Sequence, residues 1–316
     1  MRWLRFVSSC FHPFLFLLGT LPAREDNFYV ADYGSSSVET VSDTGAVTRL
    51  AGNVSGACGV ACDVQGKVYT LDINQGRVFC ISKVGAASIL AQGLSRPEAL
   101  AFNSHGDLFV TNGNNTISRI FPTGATSTFA RGLDDPHGLA FNAAGELFVA
   151  NHGNNTISRI SKSGVVSTFA DFTKASSNYQ PGTLAFDAHG NLFVTAQSSR
   201  AILKVDPAGR FTPFATGVVD PTDIVFDTHG DLYVPSGTSS LIYKINPDGA
   251  ISVFATGLTR PYGLASNRPL YQPEPEPPIA VPAAGHPPLG LILALAAPAL
   301  LIVIGFFIFL LKRKVD

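Results

Sequence analysis

The feature that most restricts the fold of this chain is an internal repeat of about 40 residues. The heptapeptide NNTISRI occurs at Asn114–Ile120 and again at Asn154–Ile160, in similar surroundings. Each copy contains short runs of β-branched and aromatic residues separated by Gly, Asn, Asp and Ser turns, which indicates four short strands. A repeat of this length made of strands alone predicts the blades of a β-propeller.

A turn glycine that follows the third strand marks six such units. It lies 40, 39, 40, 45 and 40 residues apart along the chain, at Gly45, Gly85, Gly124, Gly164, Gly209 and Gly249. Within a unit, bulky residues such as Leu139 and Phe141 alternate with small ones such as Gly138 and Ala140, so the two sizes point to opposite faces of the strand. We therefore expect the large side chains of one blade to pack against the small residues of its neighbour.

The two ends of the repeat region are complementary. The first unit starts at Asn27–Val30 with a segment that matches a second strand, so it lacks a first strand. Arg260–Ala265 is a first strand left over after the sixth unit. Paired together, the two segments complete one blade, close the ring and remove both sheet edges. The prediction is an all-β, six-bladed propeller of four-stranded blades over residues 27–267, with the first blade closed by the C-terminal strand.

The units resemble NHL repeats and, more broadly, the six-bladed propellers of the regucalcin and gluconolactonase group. The motifs that carry the resemblance include Gly138–Asn142 followed by Leu147–Asn151. The resemblance implies a fold but not a single function, because such propellers host unrelated activities. The NTISRI-like strands also resemble those of streptogramin lyases. Those enzymes carry a tryptophan in the second strand, whereas the single tryptophan here is Trp3, which makes a lyase a disfavoured interpretation.

The segments that flank the repeats predict secretion and membrane attachment. Residues 1–23 combine an Arg-containing start, an apolar run and a small-residue exit, which is typical of a signal peptide. Residues 268–288 are rich in proline, which favours a semi-rigid stalk. Residues 289–311 carry no charge and would form a transmembrane helix about 34 Å long.

The basic segment 312–316 should stay in the cytoplasm, which predicts a single-pass cell-membrane protein of type I orientation with the propeller outside. The formal net charge is −1 and the repeats hold no cluster of Lys or Arg, which argues against nucleic acid as a partner. Cys58 and Cys62 lie four positions apart on one predicted strand, about 13 Å, so they are expected to be free thiols.

Propeller topology predicts which residues meet at one end of the central channel. The loop that precedes each first strand and the loop that follows each second strand emerge on the same face. The candidate ligand-binding residues at this channel mouth are Asp32, Asp72, Glu98, Asn112, His137, Asn151 and Tyr262. The alternative interpretation of the Asp and Asn residues is that they cap strand ends by accepting hydrogen bonds from backbone N–H groups. His152, in the loop beside Asn151, is interpreted as an exposed loop residue, with a ligand at the mouth as the alternative.

A divalent metal is a second hypothesis for this mouth. The gluconolactonase resemblance implies a metal held by a Glu, an Asn and an Asp, which polarises a lactone carbonyl. Glu98 matches that register, but His137 and Cys58 stand where the other ligands would be, and Asp223 is one position out of step. A site built from Glu98, His137 and Asn151 is the metal hypothesis, and the oxygen-rich positions would suit Ca²⁺ or Mg²⁺.

Three functions are compatible with these features. The first is a binding module, held outside the membrane, that takes a protein, peptide or glycan ligand at the channel mouth. The second is a metal-dependent hydrolase of the lactonase type centred on Glu98 and His137. The third is a structural repeat protein whose mouth is plugged by side chains. No complete catalytic set is visible in the repeats, so no catalytic residue is assigned and binding is preferred over catalysis.

Overall fold

The computed structural model describes residues 27–175 and 178–267. The predicted signal peptide, stalk, transmembrane helix and tail lie outside these ranges. Within them, no α-helix is long and apolar enough to cross a membrane.

The described residues form short strands and one 3₁₀ turn, Gln197–Ser199. In chain order the strands are β1 (Phe28–Asp32), β2 (Ser37–Val41), β3 (Val47–Ala51), β4 (Ala57–Cys62), β5 (Val68–Asp72), β6 (Arg77–Ile81), β7 (Ala87–Gln92), β8 (Pro97–Phe102), β9 (Leu108–Asn112), β10 (Thr116–Ile120), β11 (Thr126–Arg131), β12 (Pro136–Phe141), β13 (Leu147–Asn151), β14 (Thr156–Ile160), β15 (Val166–Asp171), β16 (Pro181–Phe186), β17 (Leu192–Ala196), β18 (Ala201–Val205), β19 (Phe211–Thr216), β20 (Val225–Phe226), β21 (Leu232–Ser236), β22 (Leu241–Ile245), β23 (Ile251–Thr256) and β24 (Pro261–Ser266).

These strands pair into six antiparallel sheets of four strands each, which confirms the six-bladed propeller. Blade 1 has the order β24-β1-β2-β3, and blades 2 to 6 each take the next four strands in sequence from β4 to β23. The first strand of each blade lies beside the first strands of the neighbouring blades, so these six strands surround the channel. Strand β20 is short: it pairs with β21 through Val225 and Phe226, and Pro221 forms an isolated bridge with Ser236.

The ring closes as predicted, through β24. This strand pairs antiparallel with β1, with Tyr29 opposite Ala265. The Asn267 N–H donates to the Asn27 carbonyl at 2.9 Å, which extends the pairing by one residue. At the other end of β1, the Asp32 carboxylate accepts hydrogen bonds from the backbone N–H groups of Thr259 and Arg260 at 2.8 and 2.7 Å. Both termini of the repeat region are therefore fixed by hydrogen bonds, and β24 takes the innermost position of blade 1, as the first strand does in each other blade.

Neighbouring blades pack large against small residues, as the alternation predicts. A Cβ atom placed on Gly138 would lie 2.4 Å from the Thr183 Cα in the next blade, so only glycine allows this approach. Farther from the channel, the Phe109 ring makes edge-on contacts with Phe129 of its own blade and Phe141 of the next, with centroids 4.9 and 5.1 Å apart. This aromatic contact repeats around the ring and joins the blades into one core.

Candidate functional site

The mouth face is the end of the ring where each first strand begins and each second strand ends. In blade 4, Pro136 at the start of β12 lies opposite Asn151 at the end of β13. Residues that follow these two positions therefore share one surface. A cavity of about 130 Å³ opens there, and Glu98, His137 and Tyr262 line it together with Cys58 and the polar residues Thr183, Gln197, Thr222 and Asp223.

A strained backbone residue positions the loops of blade 4. Asp135 precedes Pro136 and adopts a φ of 49°, in the left-handed region that Asp tolerates better than most residues. In this conformation its carbonyl accepts the His152 N–H at 3.0 Å, and its own N–H donates to Asn115 Oδ1 at 2.9 Å. The bond between Asp135 and His152 holds the loop after β13 against the loop before β12. The residues before the equivalent prolines of three other blades, Arg96, Gln180 and Asp220, have φ values of 44°, 47° and 45°, so this conformation belongs to the repeat.

Three side chains come together as a result, and we call Asp135, His137 and His152 the histidine cluster. The His137 and His152 rings stack with centroids 4.4 Å apart and an angle of 7° between their planes. The Asp135 carboxylate lies 3.6 Å from His137 Nε2 and 3.4 Å from His152 Nδ1. The Glu98 carboxylate of the neighbouring blade lies 3.4 Å from His137 Nε2, on the side of the cavity.

The electrostatics of this group favour neutral forms. Burial lowers the pKa of His137, although the Asp135 carboxylate opposes the shift. Burial and the nearby His137 lower the pKa of His152 as well. Burial and the negative charge of Asp135 raise the pKa of Glu98, while Arg96 and His152 act in the opposite direction. Near neutral pH the cluster therefore offers unprotonated imidazole nitrogens beside a carboxyl group that takes up a proton more readily than usual.

The two predicted aspartates at this face do not line the cavity. Asp32 is buried, and its carboxylate accepts N–H groups from Gly34, Thr259 and Arg260. Asp72 is buried too, and Oδ1 accepts the N–H groups of the two residues at positions 74 and 75. The alternative interpretation, strand-end capping, accounts for all of these contacts.

The two predicted asparagines are also turned into their own blades. The Asn151 amide donates to the hydroxyls of Thr156 and Ser158 at 3.0 and 2.8 Å, and its oxygen accepts the Asp134 N–H. Asn112 makes the equivalent amide contacts, and its Oδ1 is the buried side-chain atom without a hydrogen-bond partner among the described residues. The structure thus places Asn151 outside the histidine cluster.

The metal site implied by the gluconolactonase resemblance can be tested against this arrangement. That site needs oxygen ligands from three blades. Glu98 supplies one at the cavity, but Asn151 is hydrogen-bonded elsewhere and Cys58 is a buried thiol that donates to the Pro97 carbonyl at 3.4 Å. Asp223 lines the cavity, and the N–H groups of Ile224 and Leu264 donate to its two oxygens at 2.8 and 2.7 Å. These residues do not assemble the implied oxygen set.

A second cavity, of about 460 Å³, lies beside the first on blades 1 to 3. Tyr33 and Tyr262 form part of its wall with ring centroids 6.4 Å apart, and the Arg260 guanidinium lies over the Tyr33 ring at 5.3 Å. Arg96 also lines the cavity, and we call these four residues the arginine–tyrosine pocket. Neither guanidinium forms an ion pair with a carboxylate in the part of the chain that the structure describes. Two guanidinium groups thus line a pocket with two aromatic rings, and the Glu98 carboxylate, whose pKa Arg96 lowers, lines it as well.

Sequence reasoning located Glu98, His137 and Tyr262 at the mouth but missed other members of the site. The interpretation of His152 as an exposed loop residue is wrong and its alternative, a place at the mouth, is the better one, because the side chain is 22% exposed and stacks on His137. Arg96, Asp135 and Arg260 each occupy the position directly before the proline that begins the first strand of a blade. That position is on the mouth face in every blade, so its register could have identified them.

Comparison with known proteins supports the fold. The family model for the NHL repeat matches residues 133–160, which confirms the resemblance to NHL repeats over that segment. No curated protein sequence matches the chain.

Several solved propellers are similar in structure. A nidogen/laminin complex contains a chain with a TM-score of 0.68 and 17% identity, covering 78% of this chain and 99% of that one. Virginiamycin B lyase from Staphylococcus aureus has a TM-score of 0.59 and 18% identity, covering 75% and 84%. A streptogramin B lyase has a TM-score of 0.56 and 18% identity, covering 75% and 76%. At these identities the likeness shows a shared fold.

Proposed function

We propose that this protein is a binding module that takes a protein segment at its mouth face, and that the segment carries an acidic group next to an aromatic one. The observation that carries the proposal is the arginine–tyrosine pocket. Its two guanidinium groups have no carboxylate partner among the described residues, and a carboxylate from a ligand would supply one. Arg and Tyr are also the residue types that contribute most to binding energy at protein interfaces.

The surroundings of the pocket fit a peptide better than a small metabolite. The pocket adjoins the channel cavity, because Cys58, Glu98 and Tyr262 line both. A bound segment could therefore reach from the arginines across Glu98 towards the histidine cluster. The likeness to a propeller chain of a nidogen/laminin complex supports protein binding as a use of this fold.

The test uses the full-length chain in a non-ionic detergent and a panel of fluorescent synthetic peptides of equal length. The panel contains Asp–Tyr and Glu–Phe peptides, with Lys–Tyr and Lys–Phe peptides as matched controls. Fluorescence anisotropy should show binding of the acidic peptides, and the double variant Arg96→Ala/Arg260→Ala should weaken it by more than tenfold, as expected for a loss of about 2 kcal/mol or more.

Arg210→Ala is the control variant, because Arg210 pairs with Asp206 in the turn between β18 and β19 at the opposite face. It should bind the acidic peptides as the unmodified chain does. Equal binding of acidic and basic peptides, or full binding by the double variant, would refute the proposal.

The location is part of the same proposal. Residues 1–23 and 289–311 have the composition of a signal peptide and a transmembrane helix, which supports a propeller outside the cell membrane. Protease added to intact cells should then digest the propeller while a tag on residues 312–316 stays protected. Protection of the propeller in intact cells would contradict this orientation.

Lactone hydrolysis is a second candidate function, favoured by the contact between Glu98 and His137 at the cavity. Burial shifts the pKa of each towards its neutral form, as an acid and base pair requires. Turnover of a simple lactone that is lost in Glu98→Gln and in His137→Ala would support catalysis. Equal turnover in all three proteins would assign the activity to a contaminant.

A further inference from the structure

The histidine cluster brings together donor atoms of two chemical kinds. His137 and His152 offer imidazole nitrogens, and Asp135 offers a carboxylate oxygen. One donor atom from each residue lies within 4.8 Å of those of the other two. The cluster is held by β12, which carries His137, and by the two loops of the same blade that carry Asp135 and His152, and the backbone bond from His152 to Asp135 at 3.0 Å joins those loops directly.

The separations fit a small ion. Around zinc, ligands at bond lengths of about 2.0–2.1 Å in a tetrahedral arrangement stand about 3.4 Å apart. The Asp135 carboxylate lies 3.4 Å from His152 Nδ1 and 3.6 Å from His137 Nε2. The contraction needed on binding is therefore small for both Asp–His pairs. Without a metal, the same contacts let the Asp135 carboxylate accept a hydrogen bond from either imidazole ring, so the metal titration is what distinguishes the two accounts.

The stacked rings must turn for both nitrogens to coordinate one ion. Their planes are only 7° from parallel, so the lone pairs run side by side instead of converging. The His152 side chain is 22% exposed and sits in a loop, so rotation of its ring would break the stacking on His137 and turn one edge towards solvent. Rotation about the terminal bond of a histidine has a broad, shallow energy profile.

We propose that Asp135, His137 and His152 form a binding site for a first-row transition-metal ion, with Zn²⁺ as the best match to two imidazoles and one carboxylate. The imidazole donors disfavour Ca²⁺ and Mg²⁺, which prefer oxygen ligands. A fourth coordination position would face Glu98 and the cavity, open to water or to a ligand group. The site does not depend on the proposed peptide binding, because it uses none of the four residues of the arginine–tyrosine pocket.

The test is metal binding by the full-length chain, prepared without a polyhistidine tag and stripped with a chelator. Zn²⁺ titration calorimetry should give one site per chain. Co²⁺ should give visible absorption bands of a low-symmetry site without the near-ultraviolet band of thiolate ligation. The variants His137→Ala, His152→Ala and Asp135→Asn should each weaken Zn²⁺ binding by at least tenfold.

His189 and His229 provide matched controls. Each is an exposed histidine next to an aspartate, with Nδ1 4.0 and 3.7 Å from the carboxylates of Asp187 and Asp227, and each lies in a turn at the opposite face. Substitution of both by Ala should leave Zn²⁺ binding unchanged. Thermal melting of the metal-free variants separates loss of the metal site from loss of the fold. If His137→Ala is unstable, the loop variant His152→Ala alone tests the site.

Unchanged Zn²⁺ affinity in His152→Ala, loss of binding in the double control, or a Co²⁺–thiolate band would each overturn the proposal. The last result would move the metal to cysteines such as Cys62 or Cys80. Peptide anisotropy measured on the same variants keeps the two proposals apart, since failure of one assay does not imply failure of the other.

Discussion

Gly263→Ala tests the packing that closes the ring. Gly263 lies in β24, opposite Ala31 of β1, and faces the first strand of blade 2. A Cβ atom added there would lie 2.3 Å from the Cys58 carbonyl oxygen and 2.9 Å from both Gly59 Cα and Val60 N. All three obstructing atoms belong to the backbone of β4, so no side-chain rotation can make room.

The expected cost follows from this geometry. Ordinary contact begins at 3.4 Å, so the two strands must separate by as much as 1.1 Å (3.4 minus 2.3). Overpacking of a dense interior costs about 1–3 kcal/mol, and an obstruction made only of backbone belongs at the upper end. The stiffer unfolded chain offsets about 0.4–1 kcal/mol, which leaves a net loss of about 2 kcal/mol. In a domain of this size the melting temperature should fall by about 4–8 °C.

The assay is urea unfolding of the full-length chain, followed by tyrosine fluorescence and far-ultraviolet circular dichroism. Gly52→Ala is the matched control, because its added Cβ would meet nothing closer than Arg49 Cδ at 4.0 Å and its φ is ordinary. That variant should be as stable as the unmodified protein or slightly more so. If Gly263→Ala were as stable as Gly52→Ala, the close approach of β24 to β4 would be refuted.

Two further predictions concern charge. Burial raises the pKa of Asp223 from 3.8 to about 7, so the folded state holds this proton more tightly than the unfolded state does. The free energy of unfolding, measured by urea titration, should therefore fall as the pH rises from about 4 to about 7. Asp223→Asn should flatten this decline. An unchanged pH profile in that variant would contradict the raised pKa of Asp223. Arg119→Met should cost about 2 kcal/mol because it leaves the Asp107 carboxylate, only 7% exposed, without a cation and with only the Asn103 amide as a side-chain partner. Arg159→Met should cost less than about 1 kcal/mol because Glu146 is 21% exposed, and equal losses would refute this ranking.

Much of the mouth could be predicted from the register of the repeat, and much of it could not. The sequence predicts Glu98, His137 and Tyr262 at the mouth because each is the second residue of the first strand of its blade, and that residue lies beside the channel. Asp32 and Asn151 lie at an equally regular position, yet their side chains turn inward. Register fixes where a Cα stands, whereas the direction of a polar side chain depends on which N–H and hydroxyl groups surround it.

The sequence by itself determined the number of blades, the strands within them and the closure of the first blade by the last strand. These features follow from local rules, because strand alternation and turn chemistry repeat with every unit and an unpaired edge strand has one complementary partner. The tertiary structure alone decided that His152 stacks on His137 beside Asp135, and that Arg96 and Arg260 form no ion pair with a carboxylate among the described residues. Those contacts join residues from different loops and blades, and their distances depend on how the blades pack around the ring, which no local pattern encodes.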